Sequence, residues 1–207
     1  MIDKIENNTH KDTDVFTIKW WIKYNLVKNM EPIDKTDYDS LCNKSSLTKT
    51  EFANVLNYAL THEGEHIITL KIKKFTEEQE TILSKLIKHV FLTNKINWFN
   101  LDCLEEISFK AAEMLWRFKF LSLCWLKTIT PNIAWKFSDV RFLYLDWLKE
   151  INSKIGKRLW EKDVLSIKNV EIEPDLIRDT FSSIKYLRLK WDEYFSVKTL
   201  KTKKFPF

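Results

Sequence analysis

The chain is predicted to fold as an α/β solenoid of stacked coils, with a parallel β-sheet on one face and helices on the other, behind an N-terminal helical region. Two observations predict it. An apolar pair of the form Leu-x-Leu returns every 22 residues, at Phe99/Leu101, Leu121/Leu123, Leu143/Leu145, Leu165/Ile167 and Leu187/Leu189, and such a fixed period marks stacked repeats. Side chains able to open a helix return in the same step, at Ser108, Thr130 and Asn152. Only two glycines, Gly64 and Gly156, occur in 207 residues. Gly-rich phosphate loops and dinucleotide fingerprints are therefore missing, and nucleotide chemistry is not expected.

Residues 1–66 read as a helical capping region. Asp14 is placed to open a helix carrying Phe16, Trp20, Tyr24 and Val27. A polar connection follows from Glu31 to Leu47. Thr48 and Glu51 then form a capping box for a second helix with Phe52, Val55, Leu56, Ala59 and Leu60 on one face. An open solenoid end exposes apolar core, so these helices are expected to cover it; Trp20 and Trp21 are read as core.

Residues 67–207 read as about six coils. The first is placed at Leu70-x-Ile72-x-x-Phe75, with Ile82 and Leu86, at a longer spacing of 29 to Phe99. In later coils an apolar residue precedes the pair by three positions, at Ile96, Phe118, Val140 and Ile184, with Lys162 the exception. Leu104, Leu126, Leu148 and Val170 follow the pair, and then Ile107, Ile129 and Ile151. Ser108, Thr130 and Asn152 offer oxygens to the free N–H groups of a helix start, and Pro131 suits a first helical position, where its missing donor costs nothing. Ala111/Leu115, Ile133/Phe137 and Ile155/Leu159 recur four apart as an inward helical face. Ala112, Ala134 and Gly156 supply small residues where neighbouring helices press together. In the coil from Leu165, Ile172 comes one residue early and Glu173-Pro174 follows, so its helix is expected to be displaced with its strand still in register.

The segments Leu101–Leu115 (LDCLEEISFKAAEML), Leu121–Phe137 (LSLCWLKTITPNIAWKF) and Leu143–Leu159 (LYLDWLKEINSKIGKRL) resemble the leucine-rich repeat family, in its short bacterial form L-x-L-x-x-L-x-x-I-[ST]-x-x-x-A-x-x-L. The longer first coil is similar to the ribonuclease-inhibitor-like members. About two thirds of the chain is covered. Trp125, Trp147 and Trp191 stand where the bacterial repeats often have Gly. The resemblance implies a sheet on the concave face, helices on the convex face, and a scaffold that works by protein–protein recognition; because a solenoid builds a long surface and rarely an enclosed pocket, no catalytic residues and no cofactor are expected.

Because alternate strand residues face opposite sides, inward leucines imply three outward columns. The first is Thr69, Trp98, Phe120, Phe142, Val164 and Tyr186; the second Lys71, Asn100, Ser122, Tyr144, Ser166 and Arg188; the third Lys73, Asp102, Cys124, Asp146, Lys168 and Lys190. Four aromatics in one column predict an apolar stripe, and such a patch is expected to bind a partner or be covered. The candidate binding residues are Trp98, Asn100, Asp102, Phe120, Ser122, Phe142, Tyr144, Asp146, Tyr186, Arg188 and Lys190.

His62-Glu63-Gly64-Glu65-His66 resembles the His-Glu-x-x-His zinc motif, in which two imidazoles four apart on a helix hold the metal and the Glu acts as base. Against it, Gly64 disfavours a helix, the third ligand is unassigned among Glu77, Glu78, Glu80 and His89, and Ile67-Ile68-Thr69-Leu70 begins a strand at once. The segment is read as a helix-to-strand turn, no metal is expected, and a zinc hydrolase stands as the minor alternative. The other alternative is a self-assembling protein, joining copies across an open C-terminal edge through Phe205-Pro206-Phe207.

The net charge is +5, from 34 Lys/Arg and 29 Asp/Glu. Acid exceeds base in residues 1–66, and base exceeds acid in the remainder, partly on a tail with Lys198, Lys201, Lys203 and Lys204. Both signs are interspersed, which reads as a solvated surface, and no nucleic-acid partner is expected. Cys42, Cys103 and Cys124 lack metal-ligand spacing and favour a reducing compartment. The polar N-terminus lacks an apolar signal core, and no apolar run reaches the roughly 18 residues that span a bilayer. A cytoplasmic location is expected, or export without a classical signal, including as an effector directed into a host; abundant Lys, Asn and Ile suit an AT-rich bacterial genome.

Overall fold

The structure is a computed structural model and describes residues 32–62, 67–93, 98–170, 181, 183–189 and 194–196. Helices and short strands alternate along it: α1 (Lys35–Cys42), α2 (Lys49–Thr61), β1 (Ile67–Thr69), α3 (Glu77–Thr93), β2 (Trp98–Asn100), α4 (Phe109–Leu115), β3 (Phe120–Ser122), α5 (Pro131–Lys136), β4 (Phe142–Tyr144), α6 (Ser153–Gly156), β5 (Val164–Ser166), β6 (Tyr186–Arg188) and β7 (Tyr194–Ser196). The strands form one sheet in sequence order. Neighbours from β1 to β6 are parallel, and β7 pairs antiparallel with β6.

The 22-residue period fixes the register. Phe99 pairs with Leu121, Leu121 with Leu143, Leu143 with Leu165 and Leu165 with Leu187. Beyond each strand the ladder continues by one bond, from the amides of Leu101, Leu123, Leu145 and Ile167 to the carbonyls of Ser122, Tyr144, Ser166 and Arg188. All the leucines of these pairs from Leu101 to Leu187 are completely buried. They meet the inward faces of the helices, including Ala111, Leu115, Ile133, Phe137, Ile155 and Leu159, in one continuous apolar core. Successive helices from α2 to α6 pack on one another, with Ala112, Ala134 and Gly156 buried where they approach.

Ser108, Thr130 and Asn152 open α4, α5 and α6 as their chemistry dictates, accepting from the amides of Ala111, Ile133 and Ile155 at 2.9, 3.3 and 3.0 Å. Pro131 stands at the start of α5. The turn after each strand has one shape in three coils: Leu104, Leu126 and Leu148 donate back to Leu101, Leu123 and Leu145. The amides of Trp125, Trp147 and Asn169 then reach the carbonyls of Asp102, Cys124 and Asp146 at 3.1, 2.9 and 3.0 Å. Tryptophan is therefore accommodated in this turn by pointing its ring outward, at 53% and 56% exposure for Trp125 and Trp147.

One expected register is corrected. Ile68 pairs with Phe99, and the Leu70 amide donates to the Asn100 carbonyl at 2.9 Å, so the first coil is Ile68-x-Leu70 rather than Leu70-x-Ile72. Ile68, Leu70 and Ile72 are all buried at period two. Hydrophobic alternation alone cannot separate two registers that differ by two residues, because both keep the same faces.

Ahead of β1, α2 carries the expected capping box between Thr48 and Glu51 and buries Phe52, Val55, Leu56, Ala59 and Leu60. It packs on α1, α3 and β1. The stretch expected as a connection contains α1, opened by Asp34, whose carboxylate accepts from the Asp37 amide at 2.8 Å. Its one buried residue, Tyr38, stacks on Tyr58 at 4.6 Å; a single apolar anchor leaves almost no periodicity to read. α3 begins with a second box, in which Thr76 and Gln79 exchange backbone and side-chain bonds. The buried Gln79 amide also donates to the Leu47 carbonyl at 2.6 Å. Among the described residues no helix is long and apolar enough to cross a membrane.

Candidate functional site

The face of the sheet turned away from the helices carries the candidate residues. With the corrected register, its first column is Ile67, Trp98, Phe120, Phe142, Val164 and Tyr186. Six strands thus present an unbroken apolar row, because Ile67 replaces the expected Thr69. Trp98, Phe120, Phe142 and Val164 are half-buried, whereas Ile67 and Tyr186 are 48% and 42% exposed. The rings are packed on each other: Trp98 on Phe120 at 5.2 Å and 13°, Phe120 on Phe142 at 4.1 Å and 17°. Trp98 also lies parallel to Tyr144 of the second column, at 6.4 Å and 6°. Parallel strands hold equivalent side chains one strand spacing apart, about 4.8 Å, which is the distance at which aromatic rings stack.

The second and third columns are linked by a polar ladder. Asn100 accepts from the Asp102 amide at 3.0 Å. The Ser122 hydroxyl donates to Asp102, whose same oxygen accepts from the Cys124 amide at 3.2 Å. Two coils further, the Ser166 hydroxyl donates to Asp146, and Lys168 stands 3.9 Å from that carboxylate. Ser122, Asp146 and Ser166 are consequently buried, at 5%, 8% and 0% exposure. The expectation that Ser122 and Asp146 offer themselves to a partner is corrected: they lie on the outward rows, but the ladder covers and saturates them. The Cys124 thiol lies 3.3 Å from the Ser122 hydroxyl and 3.8 Å from Asp146. Burial, reinforced by the charges of Asp102 and Asp146, pushes it up to about 12.

Arg188 is half-buried on β6, and Lys190 lies outside the described residues. On the other flank of the apolar row runs a column that the sequence reading did not single out: Lys119, Arg141, Asp163 and Lys185, one per coil. The amides of Phe142, Val164 and Tyr186 bond to the carbonyls of Lys119, Arg141 and Asp163, which extends the ladder to this rim. Lys119 and Lys185 place their ammonium groups 5.6 and 5.8 Å from the ring centres of Phe120 and Tyr186, and Arg141 pairs with Asp163 at 2.5 Å. The signal was available in sequence as three cations in four successive repeats.

The His-Glu-x-x-His segment falls at the end of α2. The helix stops at Thr61, and His62 is already extended, at φ −97° and ψ 135°. Its ring stacks on Tyr58 at 3.8 Å, with Nδ1 3.0 Å from the Tyr58 carbonyl. Residues 63–66 lie outside the described residues, as do the helix expected from Asp14, Trp20-Trp21, Trp191 and the basic tail. Glu80, one of the proposed third ligands, is buried and accepts from the Ser108 hydroxyl. Among the described residues no group of three or more His, Cys, Asp or Glu is placed to hold a metal ion. A charged cleft of about 400 Å³ lies among the helix starts, lined by Lys49, Glu77, Glu78, Thr81, Ile82, Lys85 and Lys110. The chain matches no protein-family model and no curated protein.

Proposed function

We propose that the chain is a leucine-rich-repeat solenoid, capped at its N-terminal end by α1 and α2, that acts as a non-enzymatic scaffold and binds a protein partner on the sheet face turned away from its helices. The observation that supports this reading is the apolar row crossing six strands. Its inward neighbours already supply the core, so the rings are not needed to fill it, and an uninterrupted apolar line on a sheet face is the kind of surface that a partner desolvates. Trp98, Phe120, Phe142 and Tyr186 are the anchors, and Asn100, Asp102, Tyr144 and Arg188 form the polar surround.

The test is the double change Phe120→Ala, Phe142→Ala, assayed by capture of partners from the native organism beside a thermal melt of the purified variant. Truncated aromatic anchors typically cost on the order of 2 kcal/mol or more in binding. The expected result is a folded variant that loses the captured partner. A folded variant that captures normally would move recognition to the helical face or to α1 and α2.

A further inference from the structure

Resting on that reading, we infer that the row takes an amphipathic helix of about four turns whose flank toward the Lys119 rim is acidic. Three features of the face carry this. First, Phe120 has Trp98 stacked on one ring face and Phe142 on the other, so the column offers ring edges rather than open π-faces. Bases of single-stranded nucleic acid bind aromatics through those faces, whereas aliphatic side chains need only an apolar edge.

Second, the amides and carbonyls of the inner strands are consumed by their neighbours on both sides. The face can give a partner side-chain contacts but no backbone ladder. A segment laid upon it must satisfy its own peptide groups, and a helix does so internally. Six strands about 4.8 Å apart give a row about 24 Å long, which matches roughly 16 helical residues at 1.5 Å rise.

Third, the two flanks differ in charge. Lys119, Arg141 and Lys185 border one side, with the two lysines within 6 Å of the ring centres, and the one acid of that column is engaged by Arg141. On the opposite flank Lys71 and Lys168 are balanced by the carboxylates of Asp102 and Asp146, which Ser122 and Ser166 hold in place. A helix with carboxylates along the first flank gains steering and register from that border, and a helix with cations there is repelled.

The test uses two synthetic 18-residue peptides with one leucine stripe, flanked in one by glutamates and in the other by lysines, and a single-stranded oligonucleotide, each titrated against the full chain by fluorescence anisotropy. The glutamate peptide is expected to bind on the order of tenfold more tightly than the lysine peptide and to weaken as salt rises. The exposed double change Lys119→Glu, Lys185→Glu should abolish or invert that preference without disturbing the fold. Equal binding of both peptides, lost on Phe120→Ala, Phe142→Ala, overturns the charge assignment and leaves the sheet-face reading standing. Preference for the oligonucleotide, or no peptide binding at all, overturns the helix inference itself, and partner capture that survives the aromatic change overturns the reading beneath it.

Discussion

Lys162 occupies the place that neighbouring coils give to Phe118, Val140 and Ile184, and like them it is buried, at 3% exposure. Its ammonium donates to the Ser138 carbonyl, but burial outweighs the nearby charges of Asp139 and Glu161 and lowers its pKa to about 8. A fall from 10.5 to about 8 amounts to roughly 3 kcal/mol withheld while the lysine is charged in the fold. The sign follows from proton counts. Between pH 8 and 10.5 the unfolded chain holds a proton that the folded chain has released, so stability rises with pH across that window, and below pH 8 the full penalty persists. Lys162→Met is expected to stabilise by about 1–2 kcal/mol at pH 7, net of the lost bond to Ser138, and to remove the rise. Urea denaturation at pH 7 and pH 10 measures both effects; a less stable variant would show that the Ser138 bond dominates. Cys124 makes the opposite case, a thiol held protonated by burial and two carboxylates. Iodoacetamide at pH 8 should modify it only upon unfolding, and alkylation at one rate in folded and denatured samples would contradict that.

Among the elements, the strands are too short to be specified by propensity, and their register rests on alternation. Leu143 is completely buried and Tyr144 half-buried beside it. Leu143→Asp is therefore expected to destabilise by several kcal/mol through an unpaired buried charge, and Tyr144→Asp by about 1 kcal/mol, chiefly through its packing on Trp98. Equal losses in chemical denaturation would refute the inward and outward assignment. The helix starts allow a parallel check, since Thr130→Ala and Asn152→Ala should each cost about 1 kcal/mol, and Ser108→Ala more, because its hydroxyl also donates to the buried Glu80. These features were legible because each recurs in register and so reports itself several times. Ile68-x-Leu70 was not, since a third buried apolar residue, Ile72, extends the alternation. Ser122 and Asp146 were not, since strand parity gives the side of a sheet but not the Asp–Ser bonds that close over a polar group. The Lys119 column was overlooked because parity assigns it to the inner side, whereas each strand begins only after it.

For the whole molecule, the two ends of the sheet are treated differently. β7 pairs antiparallel with β6, so the edge at that end of the sheet is β7 itself, a three-residue strand that offers little edge to pair with. Removing residues 191–207 should uncover β6 and produce concentration-dependent association in sedimentation velocity. A truncated chain that stays monomeric and folded would show that the edge is protected by other means.

Among the described residues the helices of successive coils shorten, from 17 residues in α3 to 7, 6 and 4 in α4, α5 and α6. Each coil then has less helix to lose when it opens, and a quasi-one-dimensional stack melts from wherever the local opening free energy is least. Amide deuterium exchange should accordingly be slowest in β2 and β3 and quicken through β4 to β5, with refolding nucleated beside α3 and propagating toward the C-terminal coils. The protein would then be graded in rigidity along the same axis as its apolar row, with a firm end that seats a ligand first and a yielding end that adjusts to it.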